Sequence, residues 1–122
     1  MLPAERDQDI IDRILEDSRT VEKRIEHFAT TAHSFCYDRS FKGELAYDAI
    51  MNPVYRIAED AIHLSDDIQQ SLPEIPWKNI RGFRNFIAHG YSEIDRSIAW
   101  KVVVEDIPAL AKALESFIGD AH

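Results

Sequence analysis

Arg81-Gly82-Phe83-Arg84-Asn85-Phe86-Ile87-Ala88-His89-Gly90-Tyr91 is the stretch on which the reading of this chain turns. Placed on a helix at about 100° per residue, Arg81, Arg84, Asn85, Ala88 and His89 fall within an arc of about 140°, while Ile80, Phe83, Phe86 and Ile87 fill the opposite side. A merely solvated helix face mixes Glu and Lys. Here two guanidiniums, one amide and one imidazole surround a small alanine that leaves room for a ligand. Arg84 and His89 are themselves about 140° apart, so they meet one substrate only from its flanks or across a second molecule, and dimerisation solves that problem. Gly90 is the expected stop of this helix, since glycine tolerates the left-handed conformation that follows helix ends.

A helix with one apolar side needs apolar partners, and the flanking sequence supplies them in the same period. From Pro3 to about His33, Ile10, Ile11, Ile14, Leu15, Val21, Ile25, Phe28, Ala29 and Ala32 recur at three- and four-residue steps, which predicts one long helix. Pro3 suits its first turn, and Asp7, Asp9 and Asp12 complement its positive end. A second helix is expected over about Ser40 to Ser65, with a kink or break near Asn52 because Pro53 removes a backbone donor. Ser71-Leu72-Pro73-Glu74-Ile75-Pro76 reads as an irregular connection. After the central segment, helices are expected at about Ser92 to Val104 and Asp106 to Ile118, with Asp106 as cap. Val102-Val103-Val104 has strand character, but a lone strand has no partner here. The pattern predicts an all-α bundle of about five helices in a single domain spanning residues 1–122.

The bulk properties limit what such a bundle does. There are 22 acidic against 14 basic residues and a net charge of -8, so the average surface repels nucleic-acid backbone and unspecific electrostatic binding to DNA or RNA is expected to be poor. Any nucleic-acid contact must come from a local basic cluster. Cys36 is the only cysteine, which excludes an internal disulfide and a CxxC metal or redox site and favours a reducing, cytoplasmic setting. Met1 to Gln8 lack the pattern of a secretory signal, and no apolar run approaches the roughly 20 residues that a membrane-spanning helix needs. No phosphate loop, nucleophile elbow or HExxH pattern is present, so no cofactor is expected. His63 and Asp67 have helical i, i+4 spacing but no third ligand at a motif distance, so no metal site is expected either.

Arg84, four residues, His89, one residue, Tyr91 reproduces an R-X4-H-X-Y motif, and in this respect the chain resembles the HepT toxins of the HEPN superfamily, of the DUF86 type, which are paired with nucleotidyltransferase antitoxins. The words around the motif, Gly82-Phe83-Arg84-Asn85, His89-Gly90-Tyr91, Pro73-Glu74-Ile75-Pro76-Trp77 and Ile98-Ala99-Trp100, are also similar to that family, over roughly residues 40 to 118. The resemblance implies a symmetric homodimer whose two motifs line a shared cleft and act as a metal-independent endoribonuclease. In that scheme Arg84 and His89 are catalytic, and Arg81 and Asn85 are auxiliary or RNA-binding. Tyr91 is the residue to which the partner nucleotidyltransferase attaches AMP to silence the toxin. The chemistry is sound: an imidazole takes a proton from a ribose 2′-hydroxyl or gives one to a leaving oxygen, and a guanidinium fork matches the charge of a phosphorane-like transition state.

Other readings accompany each residue. Arg84 and His89 can be surface or cap residues, Tyr91 a packing residue, and Arg81 and Asn85 plain solvated side chains. Glu59, in a stretch similar to the family's Ile-Gly-Glu-Ala but with Ala58 for glycine, reads first as an exposed helix carboxylate and second as a partner for an arginine of the motif. For the whole chain, the alternative is a catalytically silent helical partner that docks and regulates the nucleotidyltransferase.

Overall fold

The computed structural model describes residues 4–89 and 94–121, and within them every regular element is helical: α1 (Glu5–His27), α2 (Ala32–Tyr37), α3 (Phe41–Ile62), α4 (Asp66–Ser71), α5 (Trp77–Ala88), α6 (Arg96–Lys101) and α7 (Ile107–Ala121), with a π turn over Val102–Asp106 joining the last two. The expected helix stop Gly90, the expected helix start Ser92, Tyr91 and the first-turn Pro3 lie outside the described residues. The all-α expectation holds, and the valine triplet is helical.

α1 and α3 form the antiparallel spine. Arg13 pairs with Asp60 at 3.1 Å, Asp17 with Arg56 at 3.0 Å, and Arg24 reaches the carbonyl of Ala49 at 2.6 Å, so partner numbers fall along α3 as they rise along α1. Between the helices lie Ile10, Ile11, Ile14 and Val21 of α1 and Ile50, Val54, Ile57 and Ala61 of α3, all buried. Leu110 and Leu114 of α7, both fully buried, join the same core. Buried Asp7 accepts the backbone N–H of Ser65 at 3.0 Å and ties the start of α1 to the cap of α4.

The first expected helix is in fact two. α1 ends at His27 because Ala29 adopts φ 49°, and the reversal is closed by two backbone bonds, Thr30 N–H to Ile25 O at 3.0 Å and Ala29 N–H to Glu26 O at 3.1 Å. That is the hydrogen-bond pattern of a glycine-ended helix carried by an alanine. Thr31 then caps α2, its hydroxyl accepting the Ser34 N–H at 3.1 Å. Because left-handed backbone strains a Cβ and Ala29 is exposed, Ala29→Gly is expected to stabilise the protein by about 0.5–1 kcal/mol in urea denaturation. An unchanged or lower midpoint would contradict this account of the helix end.

Pro53 does not break α3, which runs unbroken past it. Proline lacks the N–H that would bond the carbonyl four residues back, here Ala49, and the Arg24 guanidinium supplies the missing donor from α1. Removing it by Arg24→Met is expected to cost about 1.5–3 kcal/mol, the range for a hydrogen bond from a charged group. Combined with Pro53→Ala, which restores a backbone donor, the loss should be smaller than the sum of the single losses, and strict additivity in a double-mutant cycle would refute the pairing.

The two C-terminal helices were expected to be separated by an Asp106 cap, and they are not. The backbone is helical from Arg96 to Ala121, and Asp106 is buried within the π turn. Ile107 N–H reaches back five residues to Val102 O, a widened turn placed just before Pro108, whose ring disfavours the regular ladder. The true cap lies earlier, where the Asp95 carboxylate accepts the Ser97 N–H at 2.9 Å.

Candidate active site

α5 is held at its entrance by Trp77, whose indole Nε1–H donates to Leu72 O at 2.9 Å, and along its length by buried Ile80 and Phe83. This anchoring presents the opposite side to solvent. Arg81, Asn85, Ala88 and His89 are exposed and Arg84 is half-buried, as the polar arc requires. Phe86 departs from the expectation: assigned to the apolar side, it is 37% exposed and borders a groove toward α6.

Arg84 leans toward α3. Its Nε donates to Glu59 Oε2 at 2.7 Å and its Nη2 to Glu59 Oε1 at 3.3 Å, a fork-to-carboxylate pair, while Nη1 donates to Asn85 Oδ1 at 3.3 Å. The same Glu59 carboxylate meets His63 Nε2 at 3.1 Å. Glu59 is therefore 49% exposed yet bound on both sides, so both of its readings hold: it is an exposed helix carboxylate and it pairs with an arginine of the motif. The Arg84 guanidinium, followed by His63, holds the Glu59 carboxyl below its ordinary range, and Glu59 in turn pushes Arg84 up. Sequence alone carried two cues to this network: the family-like Ile-Ala-Glu stretch and the i, i+4 spacing of Glu59 and His63.

Arg81 donates to Gln69 Oε1 of α4 at 3.3 Å and stays on the exposed rim. His89 is the C-cap of α5: its backbone N–H donates to Asn85 O at 3.1 Å and its ring is exposed. Arg84 and His89 thus occupy opposite flanks of one exposed helix face, about 140° apart as five helical steps dictate. Tyr91 belongs to the segment outside the described residues.

The start of α6 carries a firm anchor that the sequence did not announce. Arg96 is 9% exposed, lies 3.7 Å over the Tyr47 ring, forms an ion pair with Glu44 at 2.8 Å and donates to Phe35 O at 3.4 Å. Its planar, weakly hydrated guanidinium suits such a stacked and buried position. Among the described residues there is no group of three or more His, Cys, Asp or Glu side chains that could hold a metal ion, and no helix long and apolar enough to cross a membrane.

The described residues form an all-helical body with Arg84 and His89 on the exposed face of α5, and the comparisons say what such a chain is similar to. Residues 21–117 match the family model described as HepT-like, "Ribonuclease HepT-like". The chain is 30% identical over 79 residues to "Putative RNase MJ1380" of Methanocaldococcus jannaschii, covering 65% of this chain and 72% of that protein. It is 29% identical over 101 residues to "Probable ribonuclease HepT" of Thermococcus cleftensis, covering 83% of this chain and 89% of that one. No solved structure matches it. The chain belongs to the HepT-like ribonucleases, a HEPN family of endoribonucleases.

Proposed function

We propose that this chain is the toxin of a toxin–antitoxin pair, a metal-independent endoribonuclease acting as a homodimer. The observation that carries the proposal is the placement of Arg84 and His89 on opposite flanks of one exposed face of α5, within a chain of the HepT-like ribonuclease family. Two copies of this face, brought together by a two-fold axis, supply an imidazole on each side of a bound phosphodiester. One His89 accepts the proton of the ribose 2′-hydroxyl as its oxygen attacks phosphorus. The second protonates the departing 5′-oxygen, leaving a 2′,3′-cyclic phosphate. Arg84, pre-oriented by Glu59, meets the extra negative charge on the phosphoryl oxygens, and Arg81 and Asn85 flank the strand.

In an acidic chain these few cations give modest attraction, so the preferred RNA is selected by shape and local contacts rather than by charge. Tyr91 is the regulatory residue: its phenol oxygen attacks the α-phosphorus of ATP on a cognate nucleotidyltransferase, pyrophosphate leaves, and the attached AMP adds bulk and negative charge beside the arginines. The setting for this pair is the cytoplasm.

Co-expression with a cognate nucleotidyltransferase, followed by intact-mass measurement, tests the regulatory half. Mass steps of whole AMP units, mapped to Tyr91 and accompanied by loss of cleavage, are expected. An unmodified Tyr91 in the presence of active transferase overturns that half. A second reading, a catalytically silent partner of the transferase, is favoured by the acidic surface alone, and it predicts that the folded protein leaves RNA intact.

A further inference from the structure

Between α5 and the α6–π-turn run lies a groove of about 530 Å³ whose character differs from the polar face around Arg84. Its walls are mainly apolar, with Phe86 and Ile98 exposed at 37% and 58%. At the mouth stand Lys78 and Lys101, and in the wall sits Asp106, only 8% exposed and with no hydrogen bond or ion pair among the described residues. Its volume falls within the range of small-molecule sites.

On α5 the lining of the groove ends at Phe86, on the side toward the proposed cleavage site. Gly82, Phe86 and His89 follow one another at four- and three-residue steps along α5, so the Phe86 ring starts one turn before the imidazole, about 4.5 Å along the helix axis. A cofactor with a large polar body does not suit mostly apolar walls. A flat ring with one hydrogen-bonding edge does, and the two lysines complement the phosphates on either side of such a base.

We infer that this groove is the subsite for the nucleobase next to the scissile phosphate, that Asp106 reads its edge, and that guanine is the preferred base. The inference rests on the ribonuclease reading above and deepens it. Guanine presents two adjacent donors, N1–H and the N2 amino group, which match the two oxygens of a carboxylate as a bidentate pair. Cytosine and adenine offer one amino group each, and uracil a single ring N–H. Burial pushes the Asp106 carboxyl up, and a bound guanine supplies it with two hydrogen-bond donors. Phe86 and Ile98 provide the apolar surface against which the ring lies, and stacking of this kind tolerates any base, so selection falls to Asp106. Gly82 lines the groove beside open space: a Cβ built there meets nothing within 4 Å, so a larger side chain fits at this position without disturbing its neighbours.

Two arms test this on the full chain. In the first, RNA oligonucleotides carrying each base in turn on either side of the cleaved bond are digested by the wild type and by Asp106→Asn and Gly82→Leu. The wild type should cleave beside guanine at least about ten-fold faster than beside uracil. Asp106→Asn, which turns one acceptor oxygen into a donor, should erase that preference, and Gly82→Leu, which fills the groove with a residue that favours the helix, should raise KM for every substrate. In the second, guanosine and uridine 5′-monophosphates are titrated into the protein by NMR, which needs no cleavage. Guanosine monophosphate should shift resonances of Phe86 and Ile98 and uridine monophosphate should do so at least about ten-fold more weakly.

Absence of RNA cleavage with retained guanosine monophosphate binding would overturn the ribonuclease reading and leave the subsite standing. Cleavage with no base preference, or with a preference untouched in folded Asp106→Asn, would overturn the subsite. So would sedimentation showing that Ile98→Glu converts a dimer to monomers, because the groove would then be covered by a second copy.

Discussion

Replacing His89 with alanine is expected to lower RNA cleavage by about 10²–10⁴-fold, the range that positioned proton transfer contributes. The fold should survive the change. The ring is exposed at the end of α5, and alanine retains the backbone N–H that donates to Asn85 O. Circular dichroism and the urea midpoint should therefore stay close to wild type while the single-turnover rate collapses. A variant that cleaves as fast as wild type would remove the imidazole from the mechanism, whereas a variant that fails to fold would assign His89 a structural role that its exposure contradicts.

The second large effect concerns Glu59, which grips both Nε and Nη2 of Arg84. Two consequences follow from that geometry and they oppose each other. The carboxylate competes with a phosphate for the same fork, and it also fixes the plane in which the fork meets its substrate. Positioning is worth more when misplacement by about 1 Å costs up to 10²-fold in rate, while an exposed ion pair is worth little in binding. Glu59→Gln keeps one acceptor and loses the charge, so kcat should fall about 10- to 100-fold with KM unchanged or lower, a split that a purely structural role would not produce. Arg84→Ala should fall further, and the double variant should be no worse than Arg84→Ala alone.

The same pair has a pH signature. The folded carboxyl of Glu59 lies below the ordinary 4.5 because Arg84, then His63, favours its charged form. Its contribution is therefore complete above that ordinary value and is lost only as pH falls through the depressed one. The Arg84–Glu59 pair should persist in carboxylate-resolved NMR at pH values where an unpaired glutamate is already half protonated, and a normal titration at Glu59 would show the pair to be absent in solution.

What the sequence disclosed and what it withheld divide along physical lines. The polar arc of α5 was legible because a 3.6-residue period writes both faces of a helix into adjacent residues, and Arg81, Arg84, Asn85, Ala88 and His89 do lie on its solvent side. Contacts between residues far apart in the chain were not. Pro53 looked like a break, since its rescue comes from Arg24, 25 positions before the Ala49 carbonyl that it satisfies. The end of α1 was hidden because alanine carries no sign of left-handed backbone, and only the bonds from Thr30 and Ala29 reveal it. Asp106 has the composition of a cap but the surroundings of a wall, and Phe86 was placed on the apolar side although its neighbour there is a groove rather than a core. Glu59 carried two readings, and the fold upholds both by placing α5 beside α3.

The most direct test is digestion of a defined RNA by chelator-treated protein, with the termini identified by mass and a matched substrate carrying one 2′-deoxyribose at the cleaved position. Cleavage undiminished by chelator, ending in a 2′,3′-cyclic phosphate and a 5′-hydroxyl, absent from the deoxy substrate and from His89→Ala, is the predicted result. Intact RNA after incubation with folded wild-type protein, or products bearing 5′-phosphates, would contradict the account.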